Sequence, residues 1–82
     1  MKIIIETNKG TFAAYLNSSG EIDVYEGDDD VPVVSVPPLL KRNPVLDTST
    51  DGVAKAVRQW LEKTYDRLEI KRIVAHLLPP GR

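Results

Sequence analysis

The sequence predicts a small α+β domain: an antiparallel β-meander of three strands, a Pro-rich crossover, one amphipathic helix packed on one sheet face, and a final strand, βββ-(β)-αβ. Three observations carry this expectation. The first thirty residues alternate β-branched or aromatic runs with turn signals at short spacing. Four of the six prolines, Pro32, Pro37, Pro38 and Pro44, fall in residues 31–46, a density that excludes a helix interior or a central strand there. Val53, Val57, Trp60, Leu61, Thr64 and Leu68 then recur at intervals of three and four, which is one face of a helix.

The expected strands follow in order. Residues 2–7 (KIIIET) are β-branched and run into Asn8-Lys9-Gly10, where Gly10 suits the left-handed position of a three-residue hairpin loop. Residues 11–16 (TFAAYL) return, with Phe12, Ala14 and Leu16 on one face and Thr11, Ala13 and Tyr15 on the other. Asn17-Ser18-Ser19-Gly20 makes the next turn, and residues 21–26 (EIDVYE) place Ile22 and Val24 inward and Glu21, Asp23 and Tyr25 outward. The meander thus occupies residues 1–30 and closes on the acidic cluster Glu26, Asp28, Asp29 and Asp30.

Residues 31–46 combine proline with Val and Leu. A short edge strand near Val33 to Val36 is compatible with this, and the rest is expected to be extended, partly polyproline-like, and packed down on something apolar. The helix is expected over residues 48–68, capped by Asp47, Thr48, Ser49 or Thr50, with Asp51 in the favoured acidic first turn. Thr48 and Asp51 also have the spacing of a capping box. Trp60, the only tryptophan, is expected at the centre of the core. Residues 70–78 read as a final strand because Ile70, Ile73 and Val74 are closely spaced and Pro79-Pro80-Gly81 follows, with a helix extension as the alternative. Residues 79–82 form a tail.

With 82 residues the chain is a single domain, 1–82, that buries roughly 60–65% of the surface of its unfolded form. It has no cysteine, which removes disulfides and thiolate metal sites. Met1-Lys2 leads into only three isoleucines before Glu6, so no signal peptide is expected. No apolar run approaches the ~20 residues of a bilayer span. The expected location is cytoplasmic, without membrane association. Net charge is −1, but its distribution is uneven: residues 1–48 carry four basic against eight acidic residues, and residues 49–82 seven against four. This is either incidental or a dipolar surface that steers a charged partner.

Candidate chemistry is sparse. The acidic cluster lacks the alternating ligands and distal Glu of a calcium loop and reads as a solvated loop end. His76, the only histidine, has no evident nucleophile or orienting partner and is expected half-buried in the final strand. No phosphate loop, dinucleotide fingerprint or nucleophile elbow occurs, so neither a cofactor, a metal nor catalysis is expected. Asn17-Ser18-Ser19 matches a glycosylation sequon and reads as a turn. Arg58, Lys63, Arg67, Lys71 and Arg72 form a basic stretch beside Tyr65 that would suit nucleic acid. Glu62, Asp66 and Glu69 interleave with it, which makes a salt-bridged solvated face the stronger reading and nucleic acid an unlikely partner.

The more informative feature is the sheet. Ile3, Ile4 and Ile5 are consecutive, so both faces of the first strand are apolar, whereas a solvated face should be polar. One helix covers one face. The second face must be covered by residues 31–46, by a second copy or by another protein. The expected partner-binding residues are Ile4, Ala13, Tyr15 and Tyr25 on that face, with Val33, Val36, Leu39 and Leu40 in the Pro-rich segment. The expected function is a non-catalytic protein-binding module, with a nucleic-acid-binding accessory domain or a small structural subunit of a larger enzyme complex as alternatives.

Gly10-Thr11-Phe12-Ala13-Ala14-Tyr15-Leu16 is similar to the glycine-then-aromatic second strand of the HicB-like antitoxin domain. Asp47-Thr48 leading into Val53-Ala54-Lys55-Ala56-Val57 resembles that family's helix entry. The resemblance covers about two thirds of the chain. The family's Pro-Gly-Cys-like segment after the second strand is missing, and residues 31–46 are an insertion relative to it. The resemblance implies a partial ribonuclease-H-like fold and a partner-binding, dimer-forming regulator. It assigns no site residues.

Overall fold

A computed structural model describes residues 1–76; the expected end of the last strand at 77–78 and the tail at 79–82 lie outside the described residues. The chain forms β1 (Lys2–Thr7), β2 (Gly10–Leu16), β3 (Ile22–Glu26), β4 (Val34–Val36), β5 (Leu40–Arg42), β6 (Val45–Leu46), α1 (Thr50–Thr64) and β7 (Ile70–His76). The fold is α+β. A five-stranded antiparallel sheet has the order β4-β3-β2-β1-β7, and β5 and β6 pair as a separate two-stranded hairpin.

Turn chemistry sets the register. The first loop is two residues rather than three, because Gly10 already pairs with Thr7. The Thr7 hydroxyl donates to the Gly10 carbonyl (2.8 Å) and accepts the Lys9 N–H (2.9 Å), so this buried hydroxyl closes the turn. In the second turn the Asn17 Oδ1 accepts the N–H groups of Ser19 (2.8 Å) and Glu21 (3.0 Å), and Gly20 supplies the positive φ of 84°.

One sheet face makes the core. Ile3, Ile5, Phe12, Ala14, Ile22, Val24 and Val36 pack with Val53, Ala56, Val57 and Leu61 of α1. Each fully buried large apolar side chain contributes about 1.5–3 kcal/mol relative to exposure, and eight of them, Phe12 among them, help offset the ordering of a short chain. The helix lies closest to β2, β3 and β4.

The helix is shorter than residues 48–68. Ser49 is the N-cap, its hydroxyl accepting the Gly52 N–H at 3.1 Å, so Thr48 and Asp51 form no capping box. Asp47 in turn accepts the Ser49 N–H (3.1 Å) and hydroxyl (2.5 Å). Its carboxylate lies where a Cβ on Gly52 would stand, so glycine at this buried helix position lets the capping loop close. At the other end Tyr65 is already extended and Arg67 adopts a left-handed φ of 55°. The Asn8 side chain ties this turn down. It donates to the Arg67 carbonyl (2.9 Å) and accepts the Glu69 N–H (2.8 Å), while its own N–H donates to the Glu69 carbonyl (3.1 Å). The first hairpin turn therefore ends the helix and starts β7, which is strand and not helix extension.

Trp60 is not the centre of the core. It is half-buried and meets the Tyr65 ring edge-on at 6.2 Å. Trp60 and Thr64 share the periodic face with Val53 and Val57, but that face is buried only where the sheet lies beneath it, and Thr64 is exposed.

Residues 31–46 are more structured than an extended segment. β4 adds to the edge of the sheet, Pro37-Pro38 end it, and β5–β6 form a hairpin turned by Asn43-Pro44, whose peptide bond is cis. The segment packs down at Val36, Pro38 and Leu39 and stands clear at Leu40, Val45 and Leu46.

Candidate functional site: the open face of the sheet

Strand alternation and register place the remaining side chains on the face opposite α1. Residues paired across neighbouring strands share a face. One row runs Val74–Ile4–Ala13–Tyr25 across β7, β1, β2 and β3. Towards one end of the strands lies the row His76–Lys2–Tyr15–Asp23–Ser35; towards the other, Arg72–Glu6–Thr11.

The face is apolar in the middle and charged at its ends. Tyr15 and Tyr25 meet edge-to-face with centroids 5.5 Å apart, a favoured aromatic geometry. The Lys2 Nζ stands 5.9 Å from the Tyr15 centroid, within cation–π range. Asp23 accepts from the Asn17 amide (3.0 Å) and the Ser35 hydroxyl (2.6 Å), which fixes it in place beside Tyr15. At the far end the chain leaves β3 through Gly27, at a φ of 60°. The Gly27 N–H donates to the Thr11 carbonyl (2.9 Å) and the Asp29 N–H to the Glu26 carbonyl (3.2 Å). Asp28, Asp29 and Asp30 thereby form a lip beside a shallow groove of about 540 Å³, floored by Ile4 and Ala13 and walled by Tyr15 and Tyr25.

The expected partner-binding residues divide. Ile4, Ala13, Tyr15 and Tyr25 come together on this face, Tyr15 38% exposed and the others half-buried. Val33 lies beside β3, its N–H donating to the Val24 carbonyl (2.8 Å), and is exposed. Val36 pairs with Ile22 and belongs to the core on the other face. Leu39 is half-buried against that core, and Leu40 projects on the β5–β6 hairpin, 63% exposed. Residues 31–46 do not line the groove. Sequence reasoning left Lys2, Thr11, Val74 and the aspartate lip out of the site. The two-residue loop supplies the missing signal, since it fixes Ile4 opposite Ala13 and Thr11 opposite Glu6 by counting outwards from the turn.

The five basic residues do not form one surface. Arg58 pairs along the helix with Glu62 at 3.7 Å. Lys63 and Arg67 border a shallow hollow that Glu62 and Asp66 share. Lys71 and Arg72 are consecutive in β7 and so face opposite sides of the sheet. His76 is exposed beside Lys2 rather than half-buried, because β7 is an edge strand with no neighbour beyond it among the described residues.

Two groups titrate away from their ordinary values. Hydrogen bonds from the Ser49 hydroxyl and N–H hold the Asp47 carboxyl below its usual 3.8, aided by Lys41 and Lys55. Burial, then the charge of Glu26, raises the Tyr65 phenol. Both lie outside the groove and belong to the ends of α1. Among the described residues no three carboxylate or imidazole groups converge as a metal site, and no helix is long and apolar enough to cross a membrane. Compared with protein-family models, curated proteins and solved structures, the chain finds no match in any of the three.

Proposed function

We propose that this chain is a non-catalytic protein-binding module, an antitoxin-like or inhibitor-like small regulator. It acts in the cytoplasm through the open sheet face, with the hairpin of the Pro-rich segment as a second contact. In this reading the first three strands are a meander that presents the surface, and residues 31–46 are the crossover that delivers the helix to the opposite side. One observation carries it: α1 covers one face of a five-stranded sheet, and the other keeps Ile4, Ala13, Tyr15 and Tyr25 together with no segment of the described chain over them. Clustered aromatic and aliphatic side chains on an uncovered sheet are the composition of a protein interface. The likeness of residues 10–16 and of the helix entry to the HicB-like domain supports the same class of function. A partner protein, a second copy included, would bury the tyrosine pair.

The test is affinity capture from the native cell with the intact chain and with Tyr25→Ala and Ile4→Lys variants. Partners retained by the wild type are expected to be lost from both variants while thermal unfolding stays within a few degrees. Equal capture by all three proteins would end the reading.

A further inference from the structure

The groove has a charge polarity that the apolar face alone does not require. Lys2, resting over Tyr15, stands at one end and Asp28, Asp29 and Asp30 at the other. The two ends are separated by the Ile4–Ala13–Tyr25 row. Thr11 stands four residues along β2 from Tyr15, the partner of Lys2, roughly 13 Å at strand rise. The three aspartates are exposed, and the single ion pair formed among the described residues, Arg58–Glu62, is on the helix. None of the three aspartates forms an ion pair among the described residues, and Arg72, in the row at that end of the face, stands opposite Glu6. The backbone of the lip is tied to the sheet: the Gly27 N–H donates to Thr11 and the Asp29 N–H to Glu26, which brings the three aspartates to the groove mouth.

We propose that the open face receives an extended, arginine- or lysine-bearing segment of a partner protein. Its cationic head group sits at the Asp28–Asp30 lip, and its aliphatic stem lies along Ile4, Ala13 and the Tyr25 ring. The inference rests on the reading of this face as the binding surface and names its ligand. A long cationic side chain fits both parts of the site, because its stem is apolar and its head charged. Tyr25 offers a further aromatic surface near the head group. Lys2, at the far end, disfavours a second cation there and gives the bound segment a direction.

The probe is the seven-residue peptide acetyl-Gly-Val-Arg-Val-Arg-Val-Gly-amide, whose alternation puts both arginines on one side. Two controls carry citrulline or glutamate in place of both arginines. Binding to the whole chain is followed by backbone amide shifts. The arginine peptide is expected to shift Ile4, Thr11, Ala13, Tyr25 and Gly27, and to weaken as ionic strength rises from about 0.02 to about 0.2 M. Exposed ion pairs are individually weak, but two arginines at the lip together amount to up to about tenfold. Citrulline, or the combined Asp28→Asn, Asp29→Asn, Asp30→Asn variant, should therefore reduce affinity by about that factor, with the melting temperature of the variant unchanged.

Citrulline binding within twofold of arginine on the same residues would overturn the cationic ligand and leave the face as a binding surface. Shifts confined to other residues, or none, would overturn the inference while partner capture by the Tyr25→Ala variant still reports on the broader reading. A dimer in light scattering that the triple variant dissociates would assign the lip to the basic half of a second copy and likewise overturn it.

Discussion

The two faces of the sheet are built from the same strands and meet different fates. In β1 three identical side chains sit in succession: Ile3 and Ile5 are fully buried in the core on the helix side of the sheet, whereas Ile4 remains half-buried on the open side. In β2 Phe12 and Ala14 are buried while Ala13 and Tyr15 line a groove. The closed face is largely aliphatic around one phenylalanine, with the buried Thr7 at one end, and meets a helix whose N-cap is Ser49 and C-cap Tyr65. The open face mixes two tyrosines, two small or aliphatic residues and opposed charges. A surface evolved only to be wet would not carry the first of these features, and one evolved only to fold would not carry the last. The difference separates the residues that hold the domain together from those left partly exposed.

Substitutions on the two faces should sharpen this contrast, and the largest expected effect is in the core. Leu61→Ala removes a fully buried side chain and is expected to destabilise by about 2–5 kcal/mol, read as a lower urea midpoint with unchanged m-value. Ile4→Ala on the open face should cost less than about 1.5 kcal/mol. Equal costs would mean that the open face is as much a core as the closed one.

Asn8→Ala comes next. It leaves the Arg67 carbonyl and the Glu69 N–H without their side-chain partner, for an expected loss of about 1–2 kcal/mol. Amide exchange should accelerate first at the helix–β7 turn, since that loop is held from the first hairpin. Uniform acceleration over the whole sheet would show instead that the turn opens only with global unfolding.

Ser49→Ala has the smallest effect, about 1 kcal/mol from the lost N-cap. It carries a pH signature. The folded-state pKa of Asp47 lies below its unfolded value of 3.8, so its contribution to stability is present above that value and is lost as pH falls through the folded pKa. In the Ser49→Ala variant the Asp47 carboxyl should titrate closer to 3.8 in an NMR titration, and acid sensitivity in that range should diminish. An unmoved Asp47 titration would assign the shift to the backbone N–H of residue 49, which the variant keeps, together with Lys41 and Lys55.

Much of the fold was legible because it is local. Thr7, Gly10, Asn17 and Gly20 define two turns, and β-branched alternation defines the strands between them. The paired residues then follow by counting from each turn. The helix was legible as a period but not in its length. Thr48 and Ser49 are both competent caps, and the choice fell to Ser49 because Asp47 folds back on it against Gly52. Residues 65–68 continue the helical pattern in sequence, yet Asn8, sixty residues away, captures their backbone as a turn. The small β5–β6 hairpin was hidden because proline argues against strands in general but permits short edge pairs. The aspartate lip was hidden because three consecutive acids look solvated until Gly27 is seen to turn them to the edge of the groove.

Composition and spacing established a single α+β domain, the faces of each strand, the helix and the presence of an apolar surface in excess of what one helix covers. They could not say that Val36 faces the helix while Val33 does not, that Trp60 lies at the rim, or that β7 forms an edge and exposes His76. Alternation and period are properties of neighbouring residues and survive in any arrangement of the elements. Burial belongs to pairs of surfaces. It was settled when the chain crossed beneath the sheet after residue 46 and laid α1 on one side of it, leaving the other side to Ile4, Ala13, Tyr15 and Tyr25.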